Sequence, residues 1–185
     1  MARVPSVMVE LGTRAPQFNL PDTVSGKNYS LDNIKGNVAT VIMFICNHCP
    51  FVKHVNHQLV NLANDYKNRD IGFAAISAND VVNFPDDAPQ LMKQAALQLN
   101  YSFPYLFDET QHVARAYDAA CTPDFFIYDA NLRLVYRGQL DDSRPGNEIP
   151  VNGKDIRQAL DCLISDQPVP KGQKPSIGCN IKWKQ

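Results

Sequence analysis

The segment Val38-Ala39-Thr40-Val41-Ile42-Met43-Phe44-Ile45 runs directly into Cys46-Asn47-His48-Cys49-Pro50-Phe51. Apart from Thr40, the first eight residues are apolar, which marks a strand covered on both faces in the middle of an α/β sheet. Lys35-Gly36-Asn37 bounds it on the left. Beyond Pro50 the period changes. Phe51, Val55, Leu59, Leu62 and Tyr66 recur at steps of four, four, three and four, one face of an α-helix. Ile71 to Ser77 reads as a second buried strand. Strand, helix, strand is a βαβ unit with a right-handed crossover.

The two cysteines therefore stand where a central strand enters a helix. The start of a helix leaves backbone N–H groups unpaired and carries a partial positive charge. Such a site favours a thiolate, here expected on Cys46, and the thiolate is the nucleophile of sulfur chemistry. Residues three apart on a helix have Cβ atoms about 5–6 Å apart, so a small adjustment lets Cys46 and Cys49 close a disulfide. The expected reaction is exchange: Cys46 attacks a partner's disulfide, and Cys49 attacks Cys46 and releases the partner. His48 lies between them; protonated, it would further stabilise the Cys46 thiolate. The plain alternative is a solvent-exposed loop histidine. A structural zinc site would need two further ligands; only His48, His54 and His57 are near in sequence, and no second Cys-x-x-Cys is present.

Outward from this centre, Ala15 to Leu31 reads as an extended hairpin, with Pro21-Asp22 and Ser25-Gly26 as turns and Leu31 to Ile34 as one helical turn. Asp86 to Gln98 reads as a helix with Leu91, Met92, Ala95 and Leu99 on its apolar side. Asp108 and Gln111 have capping-box spacing and predict a short helix through Tyr117. Phe125–Tyr128 and Leu132–Arg137 read as a strand pair around Asp129-Ala130-Asn131, and Asp155–Ser165 as a last helix. The predicted organisation over 1–185 is one domain with its core at about 12–165 and an irregular, Pro-, Gly- and Lys-rich tail over 166–185.

The totals narrow the function. The chain has 185 residues, a net charge of −1 and 44% apolar residues. No basic excess is available for nucleic acid. The apolar run at 38–46 is far shorter than the ~20 residues of a spanning helix, and the N-terminus lacks the apolar stretch of a signal peptide. A cytoplasmic protein is expected, with no membrane partner. Disulfides are rare in that compartment, so a close cysteine pair there is more often redox-active or metal-binding. The five cysteines are also an odd number, which argues against a fully paired framework.

Three stretches together resemble the thioredoxin-like superfamily, in its redoxin branch of AhpC/TSA peroxiredoxin-like and TlpA/ResA-like proteins. They are Ala15-Pro16-Gln17-Phe18-Asn19-Leu20-Pro21-Asp22 with Ser30-Leu31 and Lys35-Gly36, then Cys46-Asn47-His48-Cys49, then Thr122-Pro123. The resemblance covers roughly residues 12–165. It implies an α/β thioredoxin-like fold: a central mixed β-sheet flanked by helices, with an N-terminal β-hairpin extension. It implies a thiol–disulfide oxidoreductase with Cys46 and Cys49 as catalytic residues. From the residues alone the Thr122–Pro123 bond would be trans by default; the resemblance implies that it is cis and faces the cysteine pair. It also implies that Thr122 offers its backbone to an extended partner segment, and that Cys121 lies near the pair. The expected partners are thiol or disulfide proteins, small thiols, or peroxides. No cofactor and no metal are expected, and the protein is expected to be a monomer or homodimer.

The chain departs from its relatives at several points. Peroxiredoxins carry Thr-x-x-Cys where this chain has Cys-x-x-Cys, with Ile42 at the position of their proline; Cys49 then takes the peroxide-attacking place. A peroxidase acting through Cys49 is the second enzymatic reading. Ile45 replaces the tryptophan of thioredoxins, and Thr40 stands where they bury an acid, so proton transfer to Cys49 would use another group. His48 at the third motif position resembles the Cys-Pro-His-Cys of periplasmic oxidases. A copper- or zinc-binding thioredoxin-fold protein is the reading from another class. Cys121 reads first as a small buried hydrophobe, with a third, resolving thiol as the alternative. Cys162 reads as structural. Cys179 would join the chemistry only if the tail folds over the site. His54 is a further candidate, one turn on from Cys49, and Asp141 to Gly146 reads as a solvated loop.

Overall fold

The computed structural model describes residues 3–185. In chain order the elements are β1 (Arg3–Pro5), β2 (Asn19–Pro21), β3 (Asn28–Ser30), α1 (Leu31–Ile34), β4 (Ala39–Phe44), α2 (Pro50–Asp65), β5 (Ile71–Ser77), α3 (Pro89–Gln98), β6 (Tyr105–Phe107) and α4 (His112–Ala116). They are followed by β7 (Cys121–Thr122), β8 (Asp124–Asp129), β9 (Leu134–Gly138), α5 (Lys154–Ile164) and β10 (Ile177–Asn180). The main sheet has the order β6-β5-β4-β8-β9. β4, β5 and β6 run parallel, whereas β8 and β9 are antiparallel to their neighbours.

All six residues of β4 are buried, as its unbroken apolar run predicts. Alternate side chains serve two cores. Val41 and Met43 pack with Val55, Leu59 and Leu62 of α2 and Ile156 and Leu160 of α5. Ile42 and Phe44 pack with Leu31 of α1, Val113 of α4, Tyr117 and the hairpin residues Phe18 and Leu20. The outcome is a three-layer α/β sandwich with β4 at its centre, the β2–β3 hairpin lying on one face.

Four local expectations change. The helix predicted from Asp86 starts at Pro89, after a 3₁₀ turn over Pro85–Asp87, because Ala88 precedes a proline and is held extended at φ −62°, ψ 147°. Its buried side is Met92 and Ala96, and Leu91 is exposed. Asp108 does not cap a helix at 109: Gln111 adopts a left-handed conformation and α4 begins after it, while the Asp108 carboxylate accepts from the Ala114 amide at 2.8 Å. The Asp141 loop is not a solvated one, since its buried carboxylate accepts from the amides of Ser143, Asn152 and Gly153.

The fourth change bears on the site. Residues 177–180, read as irregular, form β10, the middle strand of a second sheet of order β1-β10-β7. Its register sets Cys179 opposite Thr122 and Asn180 opposite Cys121. The tail is fastened along its length. Ser6 and Ser176 exchange two hydrogen bonds. Lys182 donates its amide to Asn79 at 2.8 Å, and Gln111 donates to the Lys182 carbonyl at 2.8 Å. Arg115 lies over the Trp183 ring at 4.3 Å. Gly178 is required here, since a Cβ on it would fall 2.0 Å from the Thr122 carbonyl oxygen.

Candidate active site

Cys46 follows β4, and Cys49 is the N-cap residue of α2, with Pro50 as the first helical residue. Both sulfurs meet the loop that carries Pro123. The Thr122–Pro123 peptide is cis. Thr122 Oγ1 lies 3.3 Å from Cys46 Sγ, and the Cys49 thiol donates to the Thr122 carbonyl at 3.1 Å. The strand-to-helix junction and the proline loop are 73 residues apart in sequence and join at two sulfur contacts.

A third sulfur completes the cluster. Cys179 Sγ is 2.8 Å from Cys49 Sγ. Cys121, expected near the pair, is buried behind it and contacts the Pro123 carbonyl at 3.6 Å; burial pushes its thiol well above the ordinary range. Cys162 is half-buried on α5. All three clustered sulfurs are enclosed: Cys46 is 1%, Cys49 0% and Cys179 4% exposed.

The hydrogen bonds favour the charged form at Cys49 over Cys46, where the sequence led us to expect it. Cys49 is lowered to about 5, first through the hydrogen bond from Cys46, with further hydrogen bonds from Cys179, Thr122 and the Val52 amide set against burial. Cys46 is raised, by its hydrogen bond to Cys49, by burial and by the charge of Asp87. The Thr122 carbonyl opposes ionisation of Cys49, because it accepts only from the neutral thiol. The balance of these contacts favours ionisation at Cys49, at the head of α2.

His48 is held by an acid that the sequence did not point to. Asp87 is fully buried, and its Oδ2 is 2.6 Å from His48 Nδ1. The same carboxylate accepts from the amides of Asn47 (2.8 Å) and His48 (3.2 Å) and from Asn79 Nδ2 (2.7 Å). The ring stacks on Phe84 with centroids 5.6 Å apart, so His48 is not a free loop residue. Its Nε2 is buried without a partner among the described residues. Asp87 is 39 residues from His48, inside a stretch read as helix. The available signal was Pro85 and Pro89 bracketing Asp86-Asp87, which marks a turn.

Thr40, at the place of the thioredoxin acid, is buried and accepts from the Gly36 amide at 3.2 Å. Asp87 supplies a buried acid on another side of Cys46. Cys46, His48 and Asp87 bring one donor atom each within 4.8 Å of one another. In the observed arrangement Nδ1 and Oδ2 are bonded to each other, so these two do not converge on a common ion. His54 is turned away from the sulfurs and shares a 2.7 Å hydrogen bond with Ser143. A second buried pair shapes the proline loop. Arg137 donates to Asp124 at 3.0 Å and to the carbonyls of Tyr117 and Asp118, and Asp124 accepts from the Ala120 amide.

A cysteine pair at the strand–helix junction, facing a cis-proline in a β-sheet of this order, is the arrangement of thioredoxin-like proteins, and the fold is thioredoxin-like. The chain is similar to the thioredoxin domain of a thiol-disulfide oxidoreductase from Bacteroides vulgatus, with TM-score 0.63 and 17% identity over 83% of this chain and 99% of that one. Residues 11–137 match the AhpC/TSA family, and the chain belongs to that family. Much nearer in sequence is an uncharacterized conserved protein from Geobacillus kaustophilus, 60% identical with TM-score 0.98, covering 100% of this chain and 97% of that one. A hypothetical protein from Sinorhizobium meliloti is 45% identical with TM-score 0.95, covering 97% of this chain and 98% of that one. No curated protein matches the chain. No helix among the described residues is long and apolar enough to cross a membrane.

Proposed function

We propose that the protein is a thiol–disulfide oxidoreductase that cycles Cys46 and Cys49 between dithiol and disulfide with thiol- or disulfide-bearing partners. The observation that carries this reading is that Thr122, next to the cis-proline, touches both sulfurs, at 3.3 Å and 3.1 Å. Cys46 and His48 bring donor atoms within 4.8 Å of each other, and His48 lines a surface pocket with Asn83, Phe84 and Pro85. Cys46, 1% exposed, is the attacking sulfur in this reading and is reached on local opening. In the reductive direction Cys46 passes its proton to the Cys49 thiolate and attacks one sulfur of the partner's disulfide. The other partner sulfur leaves as a thiolate and takes up the proton held on Cys49, which becomes a thiolate again. Cys49 then attacks Cys46 Sγ, and the second partner sulfur leaves. Two electrons pass from the pair to the partner. Asp87 and His48 each bring a donor atom within 4.8 Å of Cys46, and this pair is the group we assign to assist the proton in transit.

The test is insulin reduction by the dithiol form. Loss of activity in both Cys46→Ser and Cys49→Ser supports the assignment, and retention in either rejects it. The ionised Cys49 also favours a second reading, a peroxidase in which Cys49 attacks peroxide and becomes a sulfenic acid. Rapid hydrogen peroxide consumption that is lost in Cys49→Ser and kept in Cys46→Ser would select it. Stoichiometric copper or zinc on protein purified without chelator, held through Cys46 and Cys49, would favour metal binding instead.

A further inference from the structure

Cys179 is a buried nucleophilic group that this cycle leaves idle, and two independent features direct it at the pair. The first is its sulfur, 2.8 Å from Cys49 Sγ. The second is its backbone. β10 pairs antiparallel with β7, Cys179 opposite Thr122, along the edge that an extended partner would use for strand addition. The chain's own tail thus occupies the partner's place and presents a cysteine there. Gly178 permits the approach, and the Ser176 hydroxyl anchors it by donating to the Pro123 carbonyl at 2.7 Å.

We propose that Cys179 is a third exchange sulfur, and that the disulfide of the oxidised protein moves between Cys46–Cys49 and Cys49–Cys179. This rests on the reading of Cys46 and Cys49 as a redox pair. In the step, Cys179 loses its proton and attacks Cys49 Sγ. The Cys49–Cys179 bond forms and the Cys46–Cys49 bond breaks. Cys46 leaves as a thiolate and takes up one proton. One disulfide is present before and after, so no outside oxidant is needed. The tail acts as an internal partner: it takes the disulfide onto Cys49–Cys179 and leaves Cys46 as a free thiol beside His48.

Disulfide mapping tests this on full-length protein oxidised in a glutathione buffer, quenched in acid, alkylated and digested. Wild type is expected to give both the Cys46–Cys49 and the Cys49–Cys179 linked peptides, and Cys46→Ser to give Cys49–Cys179 alone. Gly178→Ala, which keeps every sulfur, is expected to lose the Cys49–Cys179 peptide and keep Cys46–Cys49. Wild type linked only as Cys46–Cys49, with Cys49 and Cys179 both alkylated or glutathionylated in Cys46→Ser, overturns the proposal. Cys179→Ser separates the two claims. If it still forms Cys46–Cys49, the pair stands whatever the fate of Cys179; if it forms no disulfide, the redox-pair reading itself fails and takes this proposal with it.

Discussion

Cys49 and Cys179 are 130 residues apart in the chain, and their sulfurs are 2.8 Å apart in the fold. The contact joins the head of α2 to a terminal strand, and it bears on how the sulfurs ionise, how they are shielded and what they exchange with.

The ionisation is directly measurable. Ultraviolet thiolate absorbance of the reduced protein should rise with a midpoint at about pH 5, the value to which Cys49 is lowered. Cys49→Ser should abolish this step. Cys46→Ser should keep it, because the serine hydroxyl donates the same hydrogen bond, and Cys46→Ala should move it upward. A step that survives Cys49→Ser would reassign the charge. The folded value lies below the ordinary 9.0, so the unfolded chain holds the extra proton between them. This contribution to stability is fully present above pH 9.0 and is lost as pH falls through about 5.

Asp87 should matter to both stability and rate. Its carboxylate accepts four hydrogen bonds in a buried position, and hydrogen bonds to charged groups contribute ~1.5–3 kcal/mol each. Asp87→Ala strands these donors and should cost about 3–5 kcal/mol in denaturant unfolding. Asp87→Asn keeps some of the acceptors, and should recover part of the stability while still altering the pH profile of insulin reduction. An unchanged profile in Asp87→Asn would make Asp87 purely structural.

The Asp124–Arg137 pair is fully buried, and Arg137 lies over the Phe126 ring at 3.9 Å. Burial raises Asp124 from 3.8 to about 6, the nearby Arg137 opposing it. That contribution to stability is present below 3.8 and is lost as pH rises through about 6. Arg137→Met leaves a buried carboxylate alone and should cost about 3–5 kcal/mol at neutral pH. The double variant with Asp124→Asn should recover much of this in thermal or denaturant unfolding. Strict additivity of the two single losses would show that the residues do not act as a pair.

The docked tail should shield the sulfurs. In reduced wild type, Cys46 and Cys49 are almost wholly enclosed, so alkylation requires local opening. Gly178→Ala drives a methyl group into the Thr122 carbonyl. Each ~1.4 kcal/mol lost from docking raises the open population about tenfold, and alkylation of Cys49 should accelerate in proportion. Equal rates in the variant and wild type would show that the tail does not gate access.

Much of this protein is legible one element at a time. The eight-residue run ending at Ile45, the helical spacing after Pro50 and the run Ile71–Ser77 each carry their own period, because burial on a strand or a helix face repeats locally. They were enough to place Cys46 and Cys49 at a strand–helix junction. β6 was missed because three residues are too few to show a period, and β10 because Gly178 and the polar neighbours of Ile177 hide a strand whose partners lie far away in the chain.

What the amino-acid sequence determined by itself was the βαβ core and a sulfur pair at its edge, since both follow from short-range pattern and spacing. Only the tertiary structure decided which acid holds His48 and which third cysteine meets Cys49. The physical reason is that these depend on through-space contacts between residues 39 to 130 positions apart, and on burial that no local window contains.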